Sequence, residues 1–261
     1  MTDFEPAHAA ATLHEARRRR VQIVPLDAAT APRTEAEGAA VQRALAQRTG
    51  AVPPAGFKIG ATARRMQEYL GLSGPAAGFM AIGNLFRSGA TVQFADFLRP
   101  GVECELAVRL ARDLPPAPCT KEQAAEAVGD LIAGIEIVEN RYGELSELGT
   151  PTMIADQVFH TAAVLGESGL RDWRSLDIAS LRGQLVVDGH LRDEGVGADL
   201  MGHPLNCLAW LAGSSVAVAF GGLKAGQVVM LGSVTPPVWL TGPASVTVEF
   251  TELPLVQVRL A

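Results

Sequence analysis

Acidic side chains at two-residue spacing are the first groups in this chain that could do chemistry. Glu103-Cys104-Glu105 lies in an alternating segment, Val102 to Leu110, whose Cys104, Leu106, Val108 and Leu110 share one face. Alternate strand residues point the same way, so both carboxylates project from the other face, about 7 Å apart at Cα. Two like charges so arranged repel unless water solvates them or they share a cation. A water-facing strand edge would satisfy them, and Arg109 on the same face fits that alternative. A third acid, Glu136, is embedded in Leu131-Ile132-Ala133-Gly134-Ile135-Glu136-Ile137-Val138. A carboxylate inside such a run needs a partner. Three carboxylates converging on a hard divalent cation would supply one.

Lys58 is the second candidate. It stands between Phe57 and Ile59 and between Gly56 and Gly60, so the small residues leave space around it. A lysine beside a pocket can act as acid or base, or hold an anionic substrate, and an exposed edge-strand lysine is the alternative. Asp156 reads as a turn or cap residue. His203 reads as a helix-start residue and His160 as packed or exposed, neither having a second histidine at ligand spacing. The run Arg17 to Arg20 reads as a solvated helix face or an oligomer contact. No GxSxG, GxGxxG or Walker-type motif appears, so serine hydrolase, Rossmann and P-loop readings have no support.

The elements that must position these groups are of both kinds. Helical spacing predicts helices over Ala7 to Val21 and Thr34 to Thr49, with Pro25 and Pro32 in the loop between them. Strands are expected at Gly56 to Gly60, Val102 to Leu110 and Ile135 to Glu139. The capping box Thr120-Lys121-Glu122-Gln123 starts a helix expected to reach about Ile132. Asp188-Gly189 predicts a hairpin after Gln184 to Val187. His203-Pro204 opens a helix ended by Gly221-Gly222. Further strands are expected at Gln227 to Leu231, Ser245 to Phe250 and Leu255 to Leu260. The outline is α+β, and the 261 residues suffice for a sizeable core. Lys plus Arg number 22 against 28 Asp plus Glu, which argues against a nucleic-acid or anionic-membrane binder. Cys104, Cys119 and Cys207 cannot all pair and form no metal cluster, so a disulfide scaffold and a structural zinc site are not expected. With no basic start and apolar run at Met1 to Glu5, and no long apolar span, the expected setting is the cytoplasm.

These residues, taken in order, resemble a known family. Gly56-Phe57-Lys58-Ile59-Gly60-Ala61-Thr62, Glu103-x-Glu105, Ile135-Glu136-Ile137-Val138 with Arg141, and Ala155-Asp156 are its first pieces. Gly202-His203-Pro204-Leu205-Asn206, Ala209-Trp210-Leu211-Ala212 and Leu231-Gly232-Ser233 follow. Together they are similar to the 2-keto-4-pentenoate hydratases of the fumarylacetoacetate hydrolase superfamily, alongside the 4-oxalocrotonate decarboxylases. The resemblance implies a mixed β-sheet rolled into a barrel-like core with surrounding helices. It implies a division into a helical N-terminal segment, 1–55, and a catalytic domain, 56–261. It also implies Mg²⁺ or Mn²⁺ held by Glu103, Glu105 and Glu136, with Lys58 as the proton-transfer residue. The implied substrate is a small 2-hydroxy-dienoate or 2-oxo acid met in aromatic catabolism. Ser233, Gln157, Phe159 and Ala76 match positions that line the substrate. A homo-oligomer is implied, with a pathway enzyme as a candidate further partner.

The departures from the family pattern matter too. Pro75-Ala76-Ala77-Gly78 stands where the hydratases read Pro-Asp-Phe-Gly, so Ala76 replaces an acid that pairs with the lysine. Ala155-Asp156-Gln157-Val158-Phe159 stands for Ala-Asp-Asn-Ala-Ser, so Phe159 replaces a small polar residue. Three functions stay open on these grounds. They are a hydratase-like lyase of altered specificity, a metal-assisted decarboxylase, tautomerase or C–C hydrolase, and a non-catalytic subunit partner.

Overall fold

The computed structural model describes residues 4–23, 26–143, 145, 148–166 and 172–261. Two helices come first, α1 (Pro6–Arg19) and α2 (Glu35–Arg48), close to the predicted spans. Pro6 opens α1, where its missing N–H is no loss, and the Thr34 side chain caps α2 by accepting from the Glu37 N–H. Strand β1 (Gly56–Gly60) is followed by α3 (Arg64–Leu70), β2 (Ala76–Met80), β3 (Leu85–Arg87) and β4 (Ala90–Val92). The long strands β5 (Pro100–Leu110) and β6 (Val128–Glu139) are separated by α4 (Lys121–Ala127). Helix α5 (Gly149–Ala155) leads into β7 (His160–Leu165). A hairpin of β8 (Arg182–Val187) and β9 (His190–Val196) precedes α6 (Pro204–Ala212) and α7 (Ser215–Phe220). Strands β10 (Val228–Ser233), β11 (Val238–Trp239), β12 (Ala244–Phe250) and β13 (Val256–Leu260) complete the order.

The strands form two sheets. The larger runs β2-β1-β10-β5-β6-β7-β3, with β11 added to β5, and curls as a half-barrel. The smaller, β4-β13-β12-β8-β9, packs through β8, β12 and β13 against the face of β5 and β6 opposite to the acids. Val246, Val248, Val256 and Val258 alternate inward from β12 and β13, each worth about 1.5–3 kcal/mol of burial. Leu106, Val108, Ile135 and Ile137 are buried with them in the same core. On the concave side Met80, Ala107, Ile132, Ala163, Val228 and Met230 form a separate apolar cluster that floors the half-barrel. Because β5 lies inside the sheet, all but two of its residues are buried, and the water-facing edge considered for Glu103 and Glu105 does not exist.

Two helix predictions need correction. The Thr120 capping box is present, yet α4 stops at Ala127 and β6 begins at Val128. Residues from Val128 pair with β5 along its length, and that ladder outweighs the local helical signal. The segment from His203 to Phe220 is two helices, because Gly213 ends α6 and the Ser214 side chain caps α7 through the Ala217 N–H. The Asp188-Gly189 hairpin forms as expected, with φ of 51° and 77° at its two turn residues.

Helix α2 also closes the free edge of β2. Buried Gln42 donates from Nε2 to the Ala77 carbonyl at 2.7 Å and accepts from the Phe79 N–H at 3.0 Å. The two backbone groups at this sheet edge thereby find a partner other than a strand. Gln42→Leu keeps the volume and orphans both groups, so it should cost about 2–4 kcal/mol. Urea unfolding would register this as a lower midpoint, and an unchanged midpoint would mean the edge is satisfied some other way.

Candidate active site

The sheet register brings the three predicted acids together. Glu103 on β5 stands directly opposite Glu136 on β6, and Glu105 is opposite Gly134 and Ser233. One carboxylate oxygen from each of Glu103, Glu105 and Glu136 lies within 4.8 Å of the others. Glu105 and Glu136 are buried and Glu103 is half-buried, just above the apolar floor of the half-barrel. A β-bulge between Met230 and Ser233 turns the Gly232 N–H toward Glu105, donating to Oε2 at 2.9 Å. Gly232 has φ of 118°, and a Cβ there would run into Thr62, so the position requires glycine.

Glu136 is the most heavily used of the three. Its Oε1 takes the Lys58 ammonium at 3.2 Å and lies 2.9 Å from His160 Nδ1. Its Oε2 is buried and has no hydrogen-bond partner among the described residues. Burial alone would raise this carboxyl, but Lys58 and His160 outweigh it and hold it below the usual range. Burial, then the neighbouring Glu136, pushes Glu103 up to about 8. The same causes, with Glu103 added, push Glu105 well above the carboxylate range. Burial lowers His160, which favours the neutral imidazole. Ionised together, three carboxylates and one ammonium leave two negative charges in a space shielded from water. That charge deficit, the all-oxygen donor set and the partnerless Oε2 suit a hard divalent cation.

A cavity opens above the acids. It is lined by Lys58, Glu103, Glu105 and Ser233, with walls that include Val158 and Phe159. The last two come from a turn in which Gln157, Val158 and Phe159 have φ of 56°, 51° and 65° in succession. A left-handed backbone at a β-branched residue such as Val158 costs free energy and survives only where its surroundings dictate it. Here they do. Asp156, fully buried, binds the guanidinium of Arg17 from α1 and that of Arg141 at 2.9 Å. Arg141 is held in turn by Glu139 and by the Thr161 hydroxyl, both at 3.0 Å. Gln157 accepts from Arg17 and donates to the Phe79 carbonyl at 2.7 Å. A Cβ on Gly60 would lie 2.8 Å from Val158 Cγ1, so glycine there lets the turn close over Lys58.

The sequence-predicted residues fall into two groups. Lys58, Glu103, Glu105, Ser233 and Phe159 line one cavity, with Glu136 against Lys58 behind it. The Ser233 hydroxyl donates to the Thr235 carbonyl at 2.7 Å. Ala76 and Gln157 are not among the residues lining that cavity. Ala76 is buried on β2 opposite Gly60, on the face that carries Lys58, and Gln157 braces the turn. Asp156 does stand at the cap of α5, as expected, but its side chain is also the centre of a buried charge cluster, which Arg17 of the basic run joins. Arg18 and Arg19 do stay at the surface, both on Glu15. His203 caps α6 as expected, its Nδ1 accepting from the Leu205 N–H. The partnership of His160 with Glu136 had no signal in sequence, since the two lie on neighbouring strands 24 residues apart.

Comparison with known proteins gives this arrangement a context. Residues 58–261 match the family described as fumarylacetoacetate (FAA) hydrolase C-terminal. The chain is 31% identical over 207 residues to a 2-keto-4-pentenoate hydratase of Burkholderia vietnamiensis, covering 76% of this chain and 78% of that protein. It is 33% identical over 239 residues to a TodF product hydratase of Pseudomonas putida, covering 90% and 87%. Among solved structures, 4-oxalocrotonate decarboxylase from Pseudomonas putida G7, complexed with magnesium and adipate, superposes with a TM-score of 0.89. That likeness covers 98% of this chain and 97% of the other at 23% identity, and it shows the fold. The carboxylate-lined half-barrel described here is thus part of a shared architecture, and the chain belongs to the fumarylacetoacetate hydrolase family.

Proposed function

We propose that the protein is a metal-dependent lyase acting on a 2-hydroxy-dienoate or 2-oxo acid, with hydratase-like water addition after ketonisation. The observation that carries this reading is the convergence of three carboxylates, two of them buried, whose innermost member keeps an oxygen without a partner among the described residues. Glu103, Glu105 and Glu136 would hold Mg²⁺ or Mn²⁺. Such an ion supplies Lewis acidity toward a carboxylate and an adjacent 2-oxygen. Lys58 is our assignment for proton transfer at Nζ, since it is the only cation among the described residues lining the cavity. Glu136 fixes that ammonium in place, because Ala76 offers no anion on the shared face. Phe159 and Val158 keep bulk water from the acids, which strengthens every charge interaction beneath them.

A second reading, decarboxylation or tautomerisation, gains support from Phe159. An aromatic ring where the resemblance leads one to expect a small polar residue offers no hydroxyl to hold an attacking water. The broader setting we propose is cytoplasmic, in the breakdown of ring-cleaved aromatic compounds, with residues 1–55 as the helical N-terminal segment and 56–261 as the catalytic domain. Among the described residues no helix is long and apolar enough to cross a membrane. A symmetric homo-oligomer fits the exposed apolar side chains of Ile82 and Val218. A pathway enzyme is the proposed further partner.

Glu136→Gln keeps the shape of the innermost ligand and removes its charge. Calorimetry should find Mg²⁺ and Mn²⁺ binding weakened at least ~10-fold, in line with loss of a charged ligand. Unchanged affinity in a folded variant would remove Glu136 from the metal site. The choice between water addition and decarboxylation is read from products. Wild type should hydrate 2-hydroxypenta-2,4-dienoate poorly, and the pair Ala76→Asp with Phe159→Ser should raise that rate. Wild-type turnover near 10⁴ M⁻¹s⁻¹, a common enzyme efficiency on the order-of-magnitude scale, would mean the two positions do not limit hydration.

A further inference from the structure

The cavity has two ends of opposite chemistry. Along β5, Glu105, Glu103 and Gly101 share the concave face, and Glu136 and Val138 do so along β6. One strand step beyond the acids, about 7 Å away, the directly opposed pair is Gly101 and Val138. Trp239 of β11 is paired with Gly101, and a Cβ built on Gly101 would lie 2.9 Å from the indole Cε3 and 3.2 Å from Val138 Cγ2. Glycine at 101 therefore lets the indole lie against the strand where the carboxylates end. Phe159, Leu145, Met66 and Leu70 line the same cavity.

No described residue of the lining other than Lys58 is cationic, and Lys58 is already paired with Glu136 at the acid end. Arg65, next to Met66 on α3, is exposed, and its guanidinium lies 3.5 Å from the Val234 carbonyl. We propose that this cavity selects a 2-oxo monoacid with an apolar tail and rejects the diacid of equal length. The inference rests on the reading that a 2-oxo acid head binds at the three carboxylates. With its head there, a four-carbon tail extends toward Trp239 and Val138. A methyl end buries apolar surface against the indole, whereas a second carboxylate would lose its water without gaining a cation. Trp239, 38% exposed at the rim, is the specificity-determining contact.

The test is calorimetric and independent of turnover. Protein shown to bind Mg²⁺ is titrated with pyruvate, 2-oxohexanoate and 2-oxoadipate, the last two matched in chain length. Wild type should bind 2-oxohexanoate at least ~100-fold more tightly than 2-oxoadipate, the scale of a tail that fits against one that leaves a charge unpaired. Trp239→Arg, at a rim position that tolerates charge, should narrow that ratio at least ~10-fold, and Trp239→Ala should bring 2-oxohexanoate toward pyruvate. Equal or tighter binding of 2-oxoadipate by wild type, with pyruvate bound, would overturn the tail assignment while leaving the 2-oxo acid reading intact. A ratio unmoved in both Trp239 variants would overturn it as well. Failure of all three acids to bind the Mg²⁺-loaded protein would remove the head-group reading and this inference with it.

Discussion

Three carboxylates sharing one buried space with a single ammonium is the constraint around which the molecule is organised. Coulomb repulsion between charges a few ångströms apart is severe where water is excluded, and burial alone already opposes ionisation. Burial first, then the neighbouring carboxylates, raise both Glu103 and Glu105 for this reason. The sequence accommodates it in three ways. Gly232 offers a backbone N–H to Glu105, Lys58 and His160 both bind one oxygen of Glu136, and the remaining oxygen of Glu136 has no partner among the described residues. A site that bonded every lone pair to protein would be a structural salt-bridge cluster. An oxygen without a partner among the described residues, on the carboxylate that Lys58 and His160 hold below the usual range, suits a cation instead.

The second organising feature is the turn that closes the cavity. Three successive residues in the left-handed region are costly, on the order of 1–3 kcal/mol each, and Val158 and Phe159 are costly occupants for their bulk. The Arg17–Asp156–Arg141–Glu139 cluster fixes the residue that enters this turn, and removing one member of such a buried pair typically costs about 3–5 kcal/mol. That rigidity has a consequence for chemistry. The ring of Phe159, itself buried, is carried on a backbone braced by Arg17, Arg141 and the Phe79 carbonyl, which fixes its place in the wall of the cavity.

Legibility in the sequence followed the range of the interactions. The Glu-x-Glu spacing, the Asp188-Gly189 turn and the Thr120 capping box are local, and each specified its geometry correctly. Helix α4 shows the limit: its start was encoded in four residues, but its end was decided by pairing of Val128 and its successors with β5. Glu136 announced a buried carboxylate without naming its partners, because Lys58 and His160 come from two other strands, β1 and β7, that only the sheet brings to it. Asp156 was legible only in part for the same reason. An aspartate after a short helix looks like a cap, and only the fold brings two arginines onto it. Arg17 looked like one of four equivalent basic residues, although only its position on α1 faces the turn.

Arg17 also changes how the N-terminal helices should be viewed. The family match begins at residue 58, so α1 and α2 lie outside it. Yet α1 supplies a guanidinium to Asp156, and α2 supplies Gln42 to the edge of β2, the strand whose Phe79 carbonyl receives Gln157. Both contacts converge on the turn that carries Val158 and Phe159. The catalytic half-barrel brings the acids together through its own register, which needs neither helix. The cover over those acids draws on both parts of the chain, Arg17 bracing it from α1 and Arg141 and the Phe79 carbonyl from the sheet. The carboxylates and the cavity lining thus come from residues 58–239, while the first two helices act on the cavity only through the turn that Arg17 helps to brace.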